Sequence, residues 1–282
     1  MKKETIGTFE IIIATILFGF IPVLVRFGSG LGAYNLSFFR ILVAALFLFL
    51  LSMIFKRSYK IKPLKQYRKK IIFFGAIHGF IILAYFFAIQ YLQVAQASLL
   101  IYSSAIWMTL FSSLILKEKI TRRTFIALIL SITGVVLVLS TGNLFSGLTF
   151  VGVLSGLFAG VSSGLVWVLS KTIKRYDRVS LTFWQNLIAI PFLLPLVFIK
   201  MPHFNLSNLT AVILLGVFCT VIPFVLVFKG LQKVKGQTGG ILLLLDIVFS
   251  IFFAFVILGE SPALKTIIGG ILIIIGSYLA SQ

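Results

Sequence analysis

Residues 86–140 read FFAIQYLQVAQASLLIYSSAIWMTLFSSLILKEKITRRTFIALILSITGVVLVLS, and residues 228–282 read FKGLQKVKGQTGGILLLLDIVFSIFFAFVILGESPALKTIIGGILIIIGSYLASQ. Laid over one another without a gap, at an offset of 142, they share 14 of 55 positions. Matches of Leu and Ile come easily in an oily chain. The polar and small matches carry the weight: Gln90 with Gln232, Glu118 with Glu260, Thr124 with Thr266, Gly134 with Gly276. Each copy holds two long apolar runs joined by a short turn that begins with a glutamate. A weaker match continues toward the start of each half at offset 145, pairing Gly7 with Gly152, Gly19 with Gly164 and Arg26 with Lys171.

Sixty per cent of the residues are hydrophobic, 11% are charged and the mean hydropathy is +1.16. A soluble domain of 282 residues has no interior large enough for that much apolar surface. Ten apolar stretches, near 8–27, 36–55, 71–90, 95–116, 124–140, 150–170, 181–199, 208–228, 236–258 and 264–281, each reach the length that crosses a hydrocarbon core of ~30 Å as a helix. Barrel strands would show shorter, alternating segments. The expected fold is an all-α polytopic membrane protein of ten transmembrane helices.

A net charge of +19 would suggest nucleic acid in a soluble protein, but its distribution says otherwise. If the N-terminus is cytoplasmic, 21 of the 25 basic residues precede the first span or fall in loops 56–70, 117–123, 171–180 and 229–235. Only Arg26, Arg40, Lys200 and Lys265 remain for the other face. This bias implies that both termini are cytoplasmic; the expected location is the plasma membrane. Orientation alone accounts for the basic loops; contact with anionic headgroups is a further expectation. The N-terminal run, with Lys2 and Lys3 ahead of it, reaches full span length and has no A-x-A site before Arg26, so it reads as a retained span. The single cysteine, Cys219, reads as a small buried side chain.

Five spans in 1–141 and five in 146–282 mean that an odd number separates the copies, so the second half is inverted relative to the first. The turn charges agree. Lys117-Glu118-Lys119 with Arg122 and Arg123 is a basic inner turn, whereas Gly259-Glu260-Ser261-Pro262 has only Lys265 nearby and faces outward. Inverted repeats about an axis in the membrane plane are the architecture of alternating-access carriers, with the solute site near the midplane.

The segments Ala95-Gln96-Ala97-Ser98-Leu99-Leu100 through Glu118, and Gly239-Gly240-Ile241-Leu242 through Glu260, resemble the fourth helices of the drug/metabolite transporter superfamily, and within it the EamA family. The resemblance spans the whole chain. It implies a secondary-active carrier, permease or exporter, of small polar metabolites such as amino acids. The partners implied are a small-molecule solute and membrane lipids, with no nucleic acid and no cofactor; monomer and homodimer both stay open. No phosphate-binding loop, Walker lysine or Cys/His metal spacing occurs, so neither an enzyme nor ATP-driven transport by this chain is expected. A lipid-handling or scaffold protein without solute flux is the alternative reading.

Ionisable residues inside a bilayer are costly and therefore candidates. Asp246 lies about ten residues into the ninth span, roughly 15 Å deep. Its repeat partner is Ser104, in the Tyr102-Ser103-Ser104 cluster, so Asp246 and Ser104 head the candidates for solute or coupling-ion binding. His78 is the only histidine within a span. Trp107, Tyr102, Trp167 and Tyr85 join them, because mid-span Trp and Tyr need a polar partner; Trp107, three residues past Ser104, shares its helix face. Glu10 and Arg40 sit near span ends and are expected to snorkel to the surface. The cavity is expected between the spans of Ser104 and Asp246, helped by the first, third and sixth. Gly152, Gly156, Gly160 and Gly164 form a small-residue spine for close helix packing, and Gly239 and Gly240 suggest a hinge ahead of Asp246.

Overall fold

In the computed structural model the described residues are 3–54, 67–92, 96–97, 100–101, 103–139, 147–174, 176–199 and 201–281. Among them there is helix and no strand. We label the helices α1 (Lys3–Phe27), α2 (Ser29–Ile54), α3 (Arg68–Tyr91), α4 (Ser104–Leu116), α5 (Arg122–Leu139), α6 (Gly147–Thr172), α7 (Arg178–Val197), α8 (Leu206–Leu231), α9 (Gly236–Leu258) and α10 (Leu264–Ser281). Seven of these, α1, α2, α3, α6, α7, α8 and α9, are long and apolar enough to cross a membrane; α4 and the Leu264–Gly276 part of α10 are shorter apolar helices. The outer faces carry large apolar side chains such as Phe49, Ile54, Phe198 and Phe252, as a lipid-facing surface requires.

Local breaks follow from named residues. Proline lacks an N–H and crowds the carbonyl four residues back. Pro22 therefore interrupts α1 at Phe20. In α8, a π-helical turn at Val217–Val221 precedes Pro223, which has no N–H to give a carbonyl of the preceding turn. The expected hinge at Gly239 and Gly240 is not where α9 is interrupted: the helix runs through both and breaks at Leu244, where tighter i→i−3 bonds form (Leu244 N to Ile241 O, 3.1 Å; Ile247 N to Leu244 O, 3.0 Å). Gly240 instead lets the side chain of Met108 on α4 come close, a Cβ there meeting it at 3.2 Å.

The two glutamate turns share one backbone solution. Lys117 and Gly259 adopt left-handed conformations (φ 56° and 70°), and the next amide reaches back six residues, Glu118 N to Ser112 O and Glu260 N to Ala254 O, both 3.3 Å. Both helices thus end on a left-handed residue, with a closing bond one residue wider than that of a Schellman ending.

Packing is between non-neighbours in sequence. α5 lies on α10, α2 on α7, α1 on α8 and α9, and α6 on α3 and α4. The glycine spine of α6 is a packing surface as expected: a Cβ at Gly156 would stand 2.7 Å from Leu100 Cβ, one at Gly164 2.6 Å from Trp107 Cβ, and one at Gly160 would collide with Leu100 O and Ser103 Oγ. α1 repeats the device. A Cβ at Gly19 would stand 2.6 Å from Phe249 Cβ, and one at Gly7 2.8 Å from Lys233 Cβ.

Candidate functional site

A cavity with about 60 Å³ of room for water-sized centres lies between α1, α2, α3, α4, α6, α8 and α9. Each water needs roughly 10–15 Å³ on that measure, so the space holds a few waters or part of a small solute. Its wall is mostly apolar: Phe18, Ile21, Ile81, Ile82, Ile101, Phe224 and Leu243. The polar groups on it are Arg40, His78, Tyr85, Ser104, Ser163 and Trp167. An apolar cleft with a few convergent polar groups is the usual form of a small-molecule site.

Four expected residues thus line one cavity: His78, Tyr85, Ser104 and Trp167. Trp167 stacks on Phe224 (centroids 5.3 Å apart, planes at 28°), and His78 meets the edge of the same Phe224 ring at 4.9 Å. His78 is buried beside Asn186 of α7, with Nε2 given no partner. Trp107 is not on this wall. Its side chain lies against Gly164 and stacks on Phe111, centroids 6.2 Å apart. Tyr102 lies outside the described residues.

Asp246 is fully buried at the start of the second segment of α9 but is not on the cavity wall. Its Oδ1 accepts from Ser250 Oγ at 3.1 Å, and Oδ2 has no partner. The ninth span meets the cavity through Leu243 instead, so the wall owes more to α1, α3 and α6 than to the spans of Ser104 and Asp246. The Leu244 break lies between the two positions.

Of the two span-end charges expected to snorkel, one does not. Arg40 does not snorkel: it is 2% exposed, lines the cavity, and donates from Nε to Thr220 Oγ1 (2.7 Å) and from Nη2 to Cys219 O (2.8 Å). Thr220 Oγ1 in turn donates to Leu215 O at 2.7 Å. The sequence reading placed Arg40 at a span end; the structure places it on the cavity wall. Glu10 pairs with Lys233 Nζ, in the turn between α8 and α9, at 2.5 Å, and both side chains are partly exposed.

At the two ends of the bundle, one arrangement occurs twice. Arg26 Nη2 donates to Leu92 O at 3.1 Å, and Arg26 Nε stands 3.9 Å from Glu260 Oε1. Lys171 Nζ donates to Val234 O at 2.6 Å and stands 3.4 Å from Glu118 Oε1. Arg26 and Lys171 are a repeat pair, as are Glu260 and Glu118, and Leu92 and Val234. The Glu118 end is held by more bonds. Its carboxylate also accepts from Gly236 N (3.1 and 3.0 Å) and Gln237 N (3.4 Å), capping α9, and Gln237 Nε2 donates to Glu118 O at 3.2 Å. Side chains of the Glu118 pair are 13% and 19% exposed, those of the Glu260 pair 34% and 39%.

A bundle of long apolar helices around a buried, sparsely polar cavity defines a multi-pass membrane protein that handles a small solute. The EamA-like transporter family matches residues 5–140 and 150–282, and the chain belongs to that family. It is a transporter, not an enzyme. It is similar to an uncharacterized transporter of Archaeoglobus fulgidus, 32% identical over 203 residues that cover 70% of each chain. The pseudopaline exporter CntI of Pseudomonas aeruginosa is 24% identical over 281 residues, covering 98% of this chain and 96% of that one. Human solute carrier family 35 member G1 is 25% identical over 292 residues, covering 98% and 78%. One crystal structure superposes with a TM-score of 0.80 at 18% identity, over 97% of this chain and 96% of that one, a likeness of fold.

Proposed function

We propose that the chain is a secondary-active carrier that moves small polar metabolites, amino acids among them, by alternating access. In this reading ten spans form two five-helix halves, 1–141 and 146–282, related by inversion, with both termini in the cytoplasm of a plasma-membrane protein. The observation that carries it is the duplicated latch: Arg26 with Glu260 and Leu92 at one end, Lys171 with Glu118 and Val234 at the other. Each latch joins one half to the other, and the cavity lies between them. Gly7 against Lys233 and Gly152 against Tyr91, and Gly19 against Phe249 and Gly164 against Trp107, follow the same two-fold pattern. A carrier of this kind breaks one latch while it keeps the other.

The tighter Glu118 latch and the positive-inside bias together describe a conformation held closed toward the cytoplasm. The name of the Pseudomonas relative, an exporter, supports the outward direction. Asp246, buried and half-satisfied, is the group proposed to couple transport to protons or to the solute. The test is flux in proteoliposomes: purified protein, a labelled mixture of amino acids and related metabolites, and an imposed pH gradient. Uptake or exchange above that of empty liposomes is expected for at least one member. No flux with any gradient would sink the carrier reading in favour of a lipid-handling or scaffold role.

A further inference from the structure

Within the cavity wall stands a cation that makes no ion pair with a carboxylate. Arg40 is held by Thr220 Oγ1 and Cys219 O, and its guanidinium carbon stands 5.4 Å from the centre of the Phe86 ring. All six acids of the chain lie among the described residues, and three of them pair, Glu260 with Arg26, Glu118 with Lys171 and Glu10 with Lys233. Asp246 is near enough for its charge to act on Arg40 but makes no ion pair with it. Thr220 Oγ1 and Cys219 O ask for donors, which an uncharged side chain could also supply. A positive charge buried among hydrocarbon is strongly unfavourable unless an anion meets it.

We propose that Arg40 receives the carboxylate of the transported solute, so that the carrier selects small monocarboxylates. This rests on the carrier reading above and names its substrate class. The planar guanidinium presents several N–H donors in one plane, a match for a carboxylate that an ammonium lacks. The solute's apolar body then lies against the stacked Trp167 and Phe224. A second carboxylate would be stranded against apolar wall, with no second cation on it. A purely cationic solute would meet Arg40 as a like charge. Because Asp246 is off the wall, an amino group adds little to recognition, and the carboxylate is the group that is read.

The test uses the full-length protein. Thermal stabilisation is measured with hexanoate, 3-phenylpropanoate and L-phenylalanine against 3-phenylpropanamide and 2-phenylethylamine, followed by flux of the same compounds in proteoliposomes. The carboxylates are expected to stabilise the protein and the amide and amine to bind at least about tenfold more weakly. R40Q should lose the preference for acid over amide, and R40K should keep part of it. The proposal is overturned if the amide binds as well as the acid, if none of the carboxylates binds, or if R40Q retains the preference. Should R40Q fail to fold, the acid-against-amide comparison in the unmodified protein decides alone. Carboxylate binding without flux would leave the site standing and remove the carrier reading. Flux of uncharged or cationic solutes alone would do the reverse.

Discussion

Arg40 and Asp246 show how little a residue's place in the sequence says about its surroundings inside a membrane. Both sit in apolar runs, and both were legible as costly charges. Depth along a helix pointed to Asp246 as the central group, yet Arg40 is the one on the cavity wall, held there by Thr220 Oγ1 and the Cys219 carbonyl in the π-turn of α8. The hydroxyl of Thr220 completes that bond set. T220V removes the acceptor at Arg40 Nε and leaves a buried donor bare, which costs about 1–3 kcal/mol; a lower melting temperature of the purified protein, with no change in T210V at the exposed face of α8, is the expected result. Asp246→Asn keeps shape and the acceptor for Ser250 but removes the ionisable oxygen. If Asp246 couples transport, flux falls and loses its pH dependence while the melting temperature is kept. Wild-type flux with wild-type pH dependence would end that role.

The elements follow small residues more than large ones. α6 was readable as a packing helix from Gly152, Gly156, Gly160 and Gly164, since a four-residue spacing puts all four on one face. What it packs against was not readable, because nothing in a helical period names the partner. The structure sets it on Leu100, Ser103 and Trp107. Adding bulk there forces a shift of backbone, so G160V should lower stability by about 1–3 kcal/mol. G270A is the control: a Cβ at Gly270 meets nothing within 4 Å, and thermal unfolding should be unchanged or slightly raised. The break in α9 teaches the opposite lesson. Two adjacent glycines looked like the weak point, but both are clamped by neighbours, Leu231 and Met108, and the helix gives way at an unremarkable leucine.

For the whole molecule, the two latches make opposite predictions from equivalent changes. E118Q removes a carboxylate that holds Lys171 and the amides of Gly236 and Gln237, an expected loss of about 1.5–3 kcal/mol at that end. E260Q acts on a longer, more exposed pair and should cost less. With the single native cysteine replaced and Ser104 changed to Cys, labelling by a membrane-impermeant maleimide reads access to the cavity. Under alternating access, E118Q raises labelling from the cytoplasmic side and E260Q from the opposite side. Equal changes on both sides in either variant would contradict two separate gates.

The sequence by itself determined the class. Run length and composition left a polytopic helical membrane protein, the repeat and the family resemblance pointed to a transporter, and the paired glutamates, glycines and Arg26 with Lys171 marked positions that occur twice. Those are properties of spacing and hydropathy, which a linear string carries in full. Only the tertiary structure decided that the paired residues meet across the chain, Arg26 with Glu260 and Lys171 with Glu118, and which polar groups share one cavity. The reason is physical. Period and length say which face of a helix is buried, but the partner on that face is chosen by close packing between segments far apart in sequence, and by buried carbonyls such as that of Cys219 that must find a donor wherever the fold supplies one.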